Sequence, residues 1–262
     1  MCIRDRQTKD VAARQETPAE TFFKRLKPDC VLSTGVAISY QDESSDRTKH
    51  GKLQTALTCA VTPVPRLRIS ASVLLYPISG QQQPDDSDYN YSIAYRFTDD
   101  LSLTYASYSG NRWTKQPGEK NSGGLTGGTF TLSHRLPIKI PAFEQPESIV
   151  RGFNCSGSVS YAPRYGTDGQ GQRRNKTSLG LSCGFTLLDR LQLRASTHFY
   201  PISDQQQPWD PDFTYSASYR FTDRLTLEYA NYSGNRWPWN DAKGNARGLA
   251  SGGFRLAYKL DF

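Results

Sequence analysis

The feature that most constrains the fold is an internal repeat, because the phrase YSGNRW occurs at 108–113 and again at 232–237. The phrase belongs to a longer match in which residues 76–113 align without a gap on residues 200–237 and are identical at 27 of 38 positions. A unit this long is not a solenoid repeat, so each half must contain several secondary-structure elements. The chain is therefore predicted to be a tandem duplication of one multi-stranded unit.

The repeat divides the 262-residue chain into four parts. Residues 30–136 and 153–262 are predicted to form the two repeats, joined by the Pro-rich linker 137–152. Residues 1–29 are predicted to lie outside the repeats. Their first six letters, MCIRDR, resemble translated sequencing-adapter sequence, so we expect residues 1–6 to be non-native and the true N-terminus, with any signal peptide, to lie upstream.

Period-two alternation is the dominant local pattern, as in YSIAYRFT at 91–98, and it predicts β-strands with two unlike faces. Brief connections such as FTDD and LLDR alternate with long polar ones such as SGQQQPDDSD, QDESSDRTKH and SGNRWTKQPGEKNSGG. In an up-and-down meander, every long loop then lies at one end of the sheet. Twelve strands are predicted, at about 31–40, 52–62, 66–76, 89–98, 101–109, 125–136, 153–161, 175–186, 190–200, 212–222, 224–233 and 248–262.

The two faces of these strands differ in chemistry. One face is built from Leu, Val, Ile, Tyr and Phe, and by parity it carries no charged residue in any of the twelve strands. The other face is mostly Ser, Thr, Ala and Gly, and its only acidic residues by parity are Glu228 and Asp261. That face also carries nine basic residues: Lys52, Arg68, Arg96, Arg135, Lys176, Arg194, Arg220, Arg255 and Lys259.

The orientation of the faces decides the class of protein. The chain ends in the alternating strand RLAYKLDF, which resembles the C-terminal aromatic signature of outer-membrane barrels. Long loops at one end, short turns at the other and aromatic residues at strand ends are typical of the same class. The chain thus resembles a Gram-negative outer-membrane β-barrel of the channel or porin-like class. The resemblance implies a single all-β, up-and-down antiparallel transmembrane barrel of about twelve strands in the bacterial outer membrane, contacting lipid, with the linker 137–152 on the periplasmic side.

Such a barrel is expected to enclose water, because its inward residues are small and twelve strands leave a lumen. The net charge is +7, and rings of Arg or Lys favour anions in pores. The sequence therefore predicts a passive, anion-preferring channel for small acidic or sugar-like solutes, similar in size and basic lining to the twelve-stranded channels for acidic sugars. The alternative is that the basic residues are merely solvated or pair with Asp99, Asp223 and Asp261.

The repeated phrase is expected at the extracellular mouth, where strands 5 and 11 enter long loops. One interpretation is a sugar-binding cluster, since aromatic rings, amides and Arg suit sugar hydroxyls and carboxylates. The other is that these residues anchor the loops, with Trp in the membrane-interface belt. The predicted mouth residues are Tyr108, Arg112, Trp113, Tyr232, Arg236 and Trp237.

No enzyme, metal site or cofactor is predicted. His50 falls in a loop, His134 on the apolar face, and His198 alone points inward, so they form no catalytic constellation. The five cysteines lack a metal-type spacing and indicate no complete disulfide framework. Cys59 and Cys183, which are equivalent in the repeat, are expected to be inert small hydrophobes.

Two other function classes stay open. Residues 7–29 are polar and could end a larger upstream periplasmic domain, which would make the barrel the membrane-spanning part of a polysaccharide-export or assembly system with a periplasmic protein partner. The second class is a soluble secreted carbohydrate-binding β protein. Nucleic-acid binding is not expected, because the basic residues are spread over strands and do not form a patch with interleaved aromatics.

Overall fold

Twelve antiparallel strands close into one barrel in the computed structural model of the chain. Each strand pairs with its neighbours in the sequence, and β1 pairs with β12 to complete the ring. The predicted all-β, twelve-stranded up-and-down fold is therefore confirmed. The residues that the structure describes are 26, 28–42, 47–78, 80–83, 86–108, 110–113, 127–143, 145, 148–167, 173–207, 209–232, 235–243 and 252–260.

The strands differ considerably in length. In the described connections, short 3₁₀ turns lie at Pro141–Phe143, Ser203–Gln205 and Pro238–Lys243, the last of them interrupted at Asn240. Among the described residues, no helix is both long and apolar enough to cross a membrane. The strands are β1 (Asp29–Asp42), β2 (Arg47–Val64), β3 (Leu67–Leu75), β4 (Tyr89–Arg96), β5 (Leu101–Ser107), β6 (Thr129–Leu136), β7 (Val150–Thr167), β8 (Arg173–Leu187), β9 (Leu191–Phe199), β10 (Phe213–Arg220), β11 (Leu225–Asn231) and β12 (Gly253–Leu260).

The first hairpin of each half is longer than the sequence pattern predicts. The β1–β2 ladder continues to the pair Asp42↔Arg47, and the β7–β8 ladder continues to Thr167↔Arg173. The segment QDESSDRTKH was predicted to be a long loop, and most of it is strand instead. The apolar alternation of β1 stops after Tyr40, but backbone pairing does not need an apolar face, so the ladder continues through polar residues.

The apolar face of the strands is exposed on the outside of the barrel. Leu57, Val73 and Leu256 are each 41–43% exposed although they lie in the middle of the sheet. No Asp, Glu, Lys or Arg alternates in phase with such side chains in the fully described strands β3, β4, β5, β6, β9, β10, β11 and β12. An uninterrupted apolar belt of this kind is what acyl chains require.

The opposite face lines the inside and is built from small hydroxyl side chains. Ser70 and Ser92 are 2.7 Å apart between their Oγ atoms, and Thr58 and Ser72 are 2.8 Å apart. Pairs across β6–β7 and β8–β9 repeat this contact at 2.9 Å. Because these hydroxyls satisfy one another across neighbouring strands, the inner wall is polar and also thin, which leaves room inside the ring.

The two junctions between the halves have the same register. At one junction Leu136 lies opposite Cys155, and at the other Leu260 lies opposite Cys30. Leu260 is the repeat equivalent of Leu136, and Cys30 has the same place in the first half as Cys155 in the second. Equivalent residues therefore pair at both junctions between the halves.

Four of the five cysteines form two disulfides, Cys30–Cys59 and Cys155–Cys183. The expectation of inert, unpaired Cys59 and Cys183 is wrong. Their partners are distant in the sequence, and only the register of the first hairpin in each half brings each pair opposite one another.

A tyrosine covers a glycine at the same place in each half. A Cβ added to Gly128 would collide with the Tyr105 ring, and one added to Gly252 would collide with the Tyr229 ring and hydroxyl. Each ring lies over the next strand in the space that a side chain would otherwise occupy. An aromatic ring placed over a glycine in this way pins the register of two strands.

This contact predicts a site-specific loss of stability. Gly128→Ala should lower the free energy of unfolding by about 1–3 kcal/mol, because the new methyl group collides with the Tyr105 ring. Gly127→Ala is the matched control, since nothing lies within 4 Å of its Cβ position. Urea titration of the barrel in lipid vesicles measures both. Equal effects of the two substitutions would contradict the ring contact as the cause.

Candidate functional site

The nine basic side chains predicted on the polar face all alternate out of phase with the exposed apolar belt, which places them on the inner wall. Contacts between strands that are not neighbours support this placement. The Arg68 guanidinium of β3 lies 3.8 Å from the Asp29 carboxylate of β1, across β2. Side chains two strands apart meet most readily on the concave side of a barrel, so this face encloses the lumen.

Five of the nine basic residues form ion pairs. Asp29 lies between two of them, 3.8 Å from Arg68 and 3.5 Å from Lys259. Arg255 pairs with Glu228 on the neighbouring strand β11. The remaining pairs are Lys52 with Asp86 and Lys176 with Asp210.

The other four, Arg96, Arg135, Arg194 and Arg220, have no carboxylate partner among the residues that the structure describes. Arg220 donates instead to the Asp189 backbone carbonyl at 2.8 Å. Arg194 lies beside Gly184, where its Nε is 3.7 Å from the Cβ position of the glycine. A glycine on the adjacent strand therefore gives this guanidinium space to lie along the wall.

Three carboxylates of the inner wall were missed from the sequence: Asp29, Asp86 and Asp210. The expected partners Asp99 and Asp223 form no ion pair in the described part of the chain, and Asp261 lies outside the described residues. Asp86 and Asp210 could not be predicted because they belong to long loops, and the alternation of residues within strands does not predict the path of a loop. The signal that could have found them is their equivalence in the repeat, opposite the equivalent Lys52 and Lys176.

The repeated phrase builds a hydrogen-bonded loop anchor, and in the first half each of three consecutive glutamines has its own partner. Gln81 Oε1 accepts from the Leu53 backbone N–H at 2.7 Å. Gln82 Nε2 donates to Asp88 at 2.7 Å. The Gln83 backbone N–H donates to Asp86 at 2.7 Å.

Arg112 and Asp88 complete this first anchor. Arg112 Nη1 lies 3.4 Å from the Asp88 carboxylate, and its Nη2 donates to the Gln83 carbonyl at 2.8 Å. Asp88 also accepts from the Trp113 backbone N–H at 2.9 Å. The loop before β4 and the loop after β5 are thereby joined to each other and, through Asp86, to the inward Lys52.

The second half repeats this anchor with deeper burial. The Arg236 side chain is 1% exposed and its partner Asp212 is 4% exposed, with Nη1 3.4 Å from Oδ1. Asp212 accepts in addition from Gln206 Nε2 at 2.7 Å and from the Trp237 backbone N–H at 2.9 Å. Asn235 is fully buried beside them and donates to the Phe213 carbonyl at 2.9 Å.

The six predicted mouth residues therefore do not form one cluster. Arg112 and Arg236 are occupied by the anchors. Both tryptophans pack on the apolar outer face. The ring centroids of Trp113 and Tyr89 are 4.4 Å apart, and those of Trp237 and Phe213 are 4.5 Å apart. Tyr108 and Tyr232 lie on the inner face and are 67% and 60% exposed. This arrangement favours the loop-anchor interpretation for both arginines and both tryptophans.

A second set of contacts surrounds Lys176 in the second half. The Lys176 ammonium lies 3.1 Å from the centroid of the Tyr165 ring, and the Tyr165 hydroxyl contacts Asp210. The Trp209 indole N–H donates to the same hydroxyl at 2.7 Å. Below them, His198 Nε2 is buried without a hydrogen-bond partner in the described structure. His134 lies on the outer face, and the side chain of His50 is outside the described residues.

These observations define the class of the barrel. Its outer surface is an uncharged apolar belt with aromatic rings, and the charged side chains of the fully described strands alternate onto the opposite, polar face. This is an outer-membrane-type β-barrel. No protein-family model matches the chain, and no curated protein matches it in sequence.

Solved porin structures are similar to it. They include the NanC porin, at 9% identity and a TM-score of 0.47, covering 89% of this chain and 100% of that chain. The KdgM porin is 10% identical at a TM-score of 0.42, covering 90% of this chain and 99% of that one. OmpF of Salmonella typhi in complex with daunomycin is 8% identical at a TM-score of 0.37, covering 91% and 99%. Similarity at this level carries no function over to the chain.

The two anchors differ in burial and should differ in sensitivity to loss of charge. Asp212→Asn should cost about 3 kcal/mol of unfolding free energy, because it leaves the buried Arg236 guanidinium unpaired. Asp88→Asn should cost less, since its pair with Arg112 is 15–18% exposed. Urea titrations in vesicles measure both, and adding Arg236→Met to Asp212→Asn should restore part of the loss. Equal costs for the two Asp→Asn substitutions would contradict the assignment.

The first anchor should also respond to pH. Burial opposes ionisation of Asp88, but hydrogen bonds from the Trp113 N–H, the Gln82 amide and Arg112 outweigh it, and its pKa lies below the usual value. A lowered carboxyl pKa stabilises the folded state above the ordinary pKa of about 3.9, and this contribution is lost as the pH falls through the folded pKa.

The hydrogen-exchange rate of the amides in residues 108–113 of the folded protein, corrected for intrinsic rates, should therefore stay constant from neutral pH to about 5. It should rise only below about pH 4. The Asp88→Asn variant is the control and should exchange faster already at neutral pH. An exchange rate of residues 108–113 that already rises near neutral pH in the wild-type protein would contradict the role of Asp88.

Proposed function

We propose that the chain forms a passive, anion-preferring channel for small acidic or sugar-like solutes in a bacterial outer membrane. The single observation that carries the proposal is the charge of the inner wall. Their alternation assigns nine basic side chains to the lumen, against four carboxylates, Asp29, Asp86, Asp210 and Glu228, among the described residues. A water-filled path through a low-dielectric wall focuses this excess of positive potential.

The unpaired guanidiniums supply the selectivity in this proposal. Arg194 is exposed on the inner wall, and Arg96 and Arg135 lie close to the short-turn end, which corresponds to the periplasmic side in outer-membrane barrels. One unit charge about 8 Å from a passing ion in water changes the energy of that ion by about 0.5 kcal/mol, or its local concentration about two-fold. Several such charges favour anions without binding them tightly, as passage requires.

The two loop anchors support a channel for small solutes. Asp86 and Asp210 hold the loops before β4 and β10 against the inward lysines Lys52 and Lys176. The strands β3 and β9, which these loops follow, are six strands apart in a ring of twelve, so the loops lie on opposite walls. In this proposal the two loops flank the outer mouth, beside the exposed rings of Tyr108 and Tyr232.

The other function classes gain no support from the described residues. The exposed apolar belt is unsuited to a soluble carbohydrate-binding protein. The export alternative rests on residues 7–29, of which only the last few are described. The proposal assigns no catalytic residue and no cofactor.

Planar-bilayer recordings test the function directly. Purified barrel in a salt gradient should conduct, with a reversal potential of the sign that marks anion preference. Small carboxylates and acidic sugars added to one side should carry or block the current. A preference for cations, or bilayers that stay silent although the inserted protein is folded, would overturn the proposal.

A single guanidinium can be tested in the same recordings. Arg194→Gln should lower the ratio of chloride to potassium permeability about two-fold, because it removes one unpaired positive charge from the wall. Lys139→Gln is the matched control, since it removes the same charge from an exposed position in the connection between β6 and β7. If both substitutions change the permeability ratio equally, the general surface charge determines the ion selectivity and the charge of the inner wall does not.

A further inference from the structure

The two disulfides occupy the same place in the two halves of the barrel. Cys30–Cys59 joins β1 to β2, and Cys155–Cys183 joins β7 to β8. In each case the two cysteines lie directly opposite one another in the ladder. Each bond therefore closes the first hairpin of its half, over sequence separations of 29 and 28 residues.

Both bonds lie on the lipid side of the wall. Cys30 alternates in phase with the exposed Leu32, and Cys59 with the exposed Leu57. Cys30 is nevertheless only 3% exposed and Cys155 only 1% exposed. Cys59 and Cys183 are half-buried, so each disulfide joins one covered cysteine to one partly exposed cysteine, within a surface that faces acyl chains.

This location limits when the bonds can form. Thiol–disulfide exchange needs a thiolate and access for the attacking or attacked sulfur. Apolar surroundings disfavour the thiolate. Neither requirement is met once the strands are closed and face lipid, whereas both are met while the hairpins are still in water.

We propose that each first hairpin is a substrate of a dithiol oxidase, a protein carrying a reactive disulfide, in the periplasm before the barrel inserts. One cysteine thiolate attacks the disulfide of the oxidase and gives a mixed disulfide, with release of one oxidase thiolate. The second cysteine then attacks the mixed disulfide as a thiolate. For each bond the hairpin loses two electrons and two protons, and the oxidase leaves as a dithiol.

In each half, the disulfide fixes the register between the first two strands. A strand that slips by one residue presents its polar side chains to lipid and its apolar ones to water. A disulfide between directly opposed residues excludes that slip while no lipid is yet present to correct it. The two bonds thus set the register of β1–β2 and β7–β8, the strands that later form the junctions with β12 and β6.

Peptide mapping tests the pairing. Outer membranes from cells expressing the full chain are treated with a thiol-alkylating reagent, and the protein is then digested without reduction. We expect linked peptides for Cys30–Cys59 and Cys155–Cys183 and no alkylation of these four residues. Alkylated cysteines in the inserted barrel, or pairs that join the two halves, would overturn the proposal.

The order of events is tested by the time at which reductant is added. Dithiothreitol present during synthesis should reduce the yield of inserted, heat-modifiable barrel, as should loss of the periplasmic dithiol oxidase. A phosphine reductant that does not permeate lipid, added to finished membranes, should leave both bonds intact. Bonds that form equally well without the oxidase, or that are reduced in finished membranes as fast as in denatured protein, would contradict oxidation before insertion.

A variant that combines Cys30→Ser, Cys59→Ser, Cys155→Ser and Cys183→Ser separates this effect from general stress on the cell. Its yield should not change further with dithiothreitol or with loss of the oxidase. If the wild-type chain and the variant respond alike, the hairpins are not the target of the oxidation. None of these outcomes depends on whether the barrel conducts anions.

Discussion

The structure depends above all on backbone hydrogen bonding in a medium that offers no partners. Acyl chains cannot satisfy an exposed N–H or C=O, so a sheet in lipid must have no free edge. The pairing of β1 with β12, from Cys30↔Leu260 to Ala37↔Gly253, removes the last two edges. Once the ring is closed, every strand has one face toward lipid and one toward the enclosed water. The uncharged belt and the basic inner wall are both consequences of that division.

The loop anchors explain why YSGNRW and its surrounding residues survive in both halves. Many polar groups of the anchor have a specific partner, as Gln82 has in Asp88 and Arg236 has in Asp212. Removing one member leaves a buried donor or acceptor unsatisfied, which costs more than the bond itself contributed. The flanking residues outside this network are not under that constraint. The repeat is therefore retained where it is hydrogen-bonded and not for its exposed surface alone.

Alternation was sufficient to predict the strand number, because period two is a local property of a strand. It did not predict the ion pairs of Lys52 and Lys176, whose partners Asp86 and Asp210 are each 34 residues away on folded-back loops. The disulfides were missed for a related reason, since Cys30 meets Cys59 only through the register of the hairpin. For the arginines of the mouth the sequence left a sugar-binding cluster and a loop anchor both open, and the ion pairs of Arg112 and Arg236 favour the anchor. Contacts that depend on the path of a loop cannot be predicted from the alternation of residues along the strands.

The equal registers of the two junctions make the copies of the unit interchangeable at their edges. A strand equivalent to β6 or β12 accepts either β1 or β7 by the same alignment of residues. A polypeptide with only one copy would carry both complementary edges and would need a second molecule to complete the ring. Fusion of two copies turns that encounter into an intramolecular step, so that closure no longer depends on the concentration of the protein.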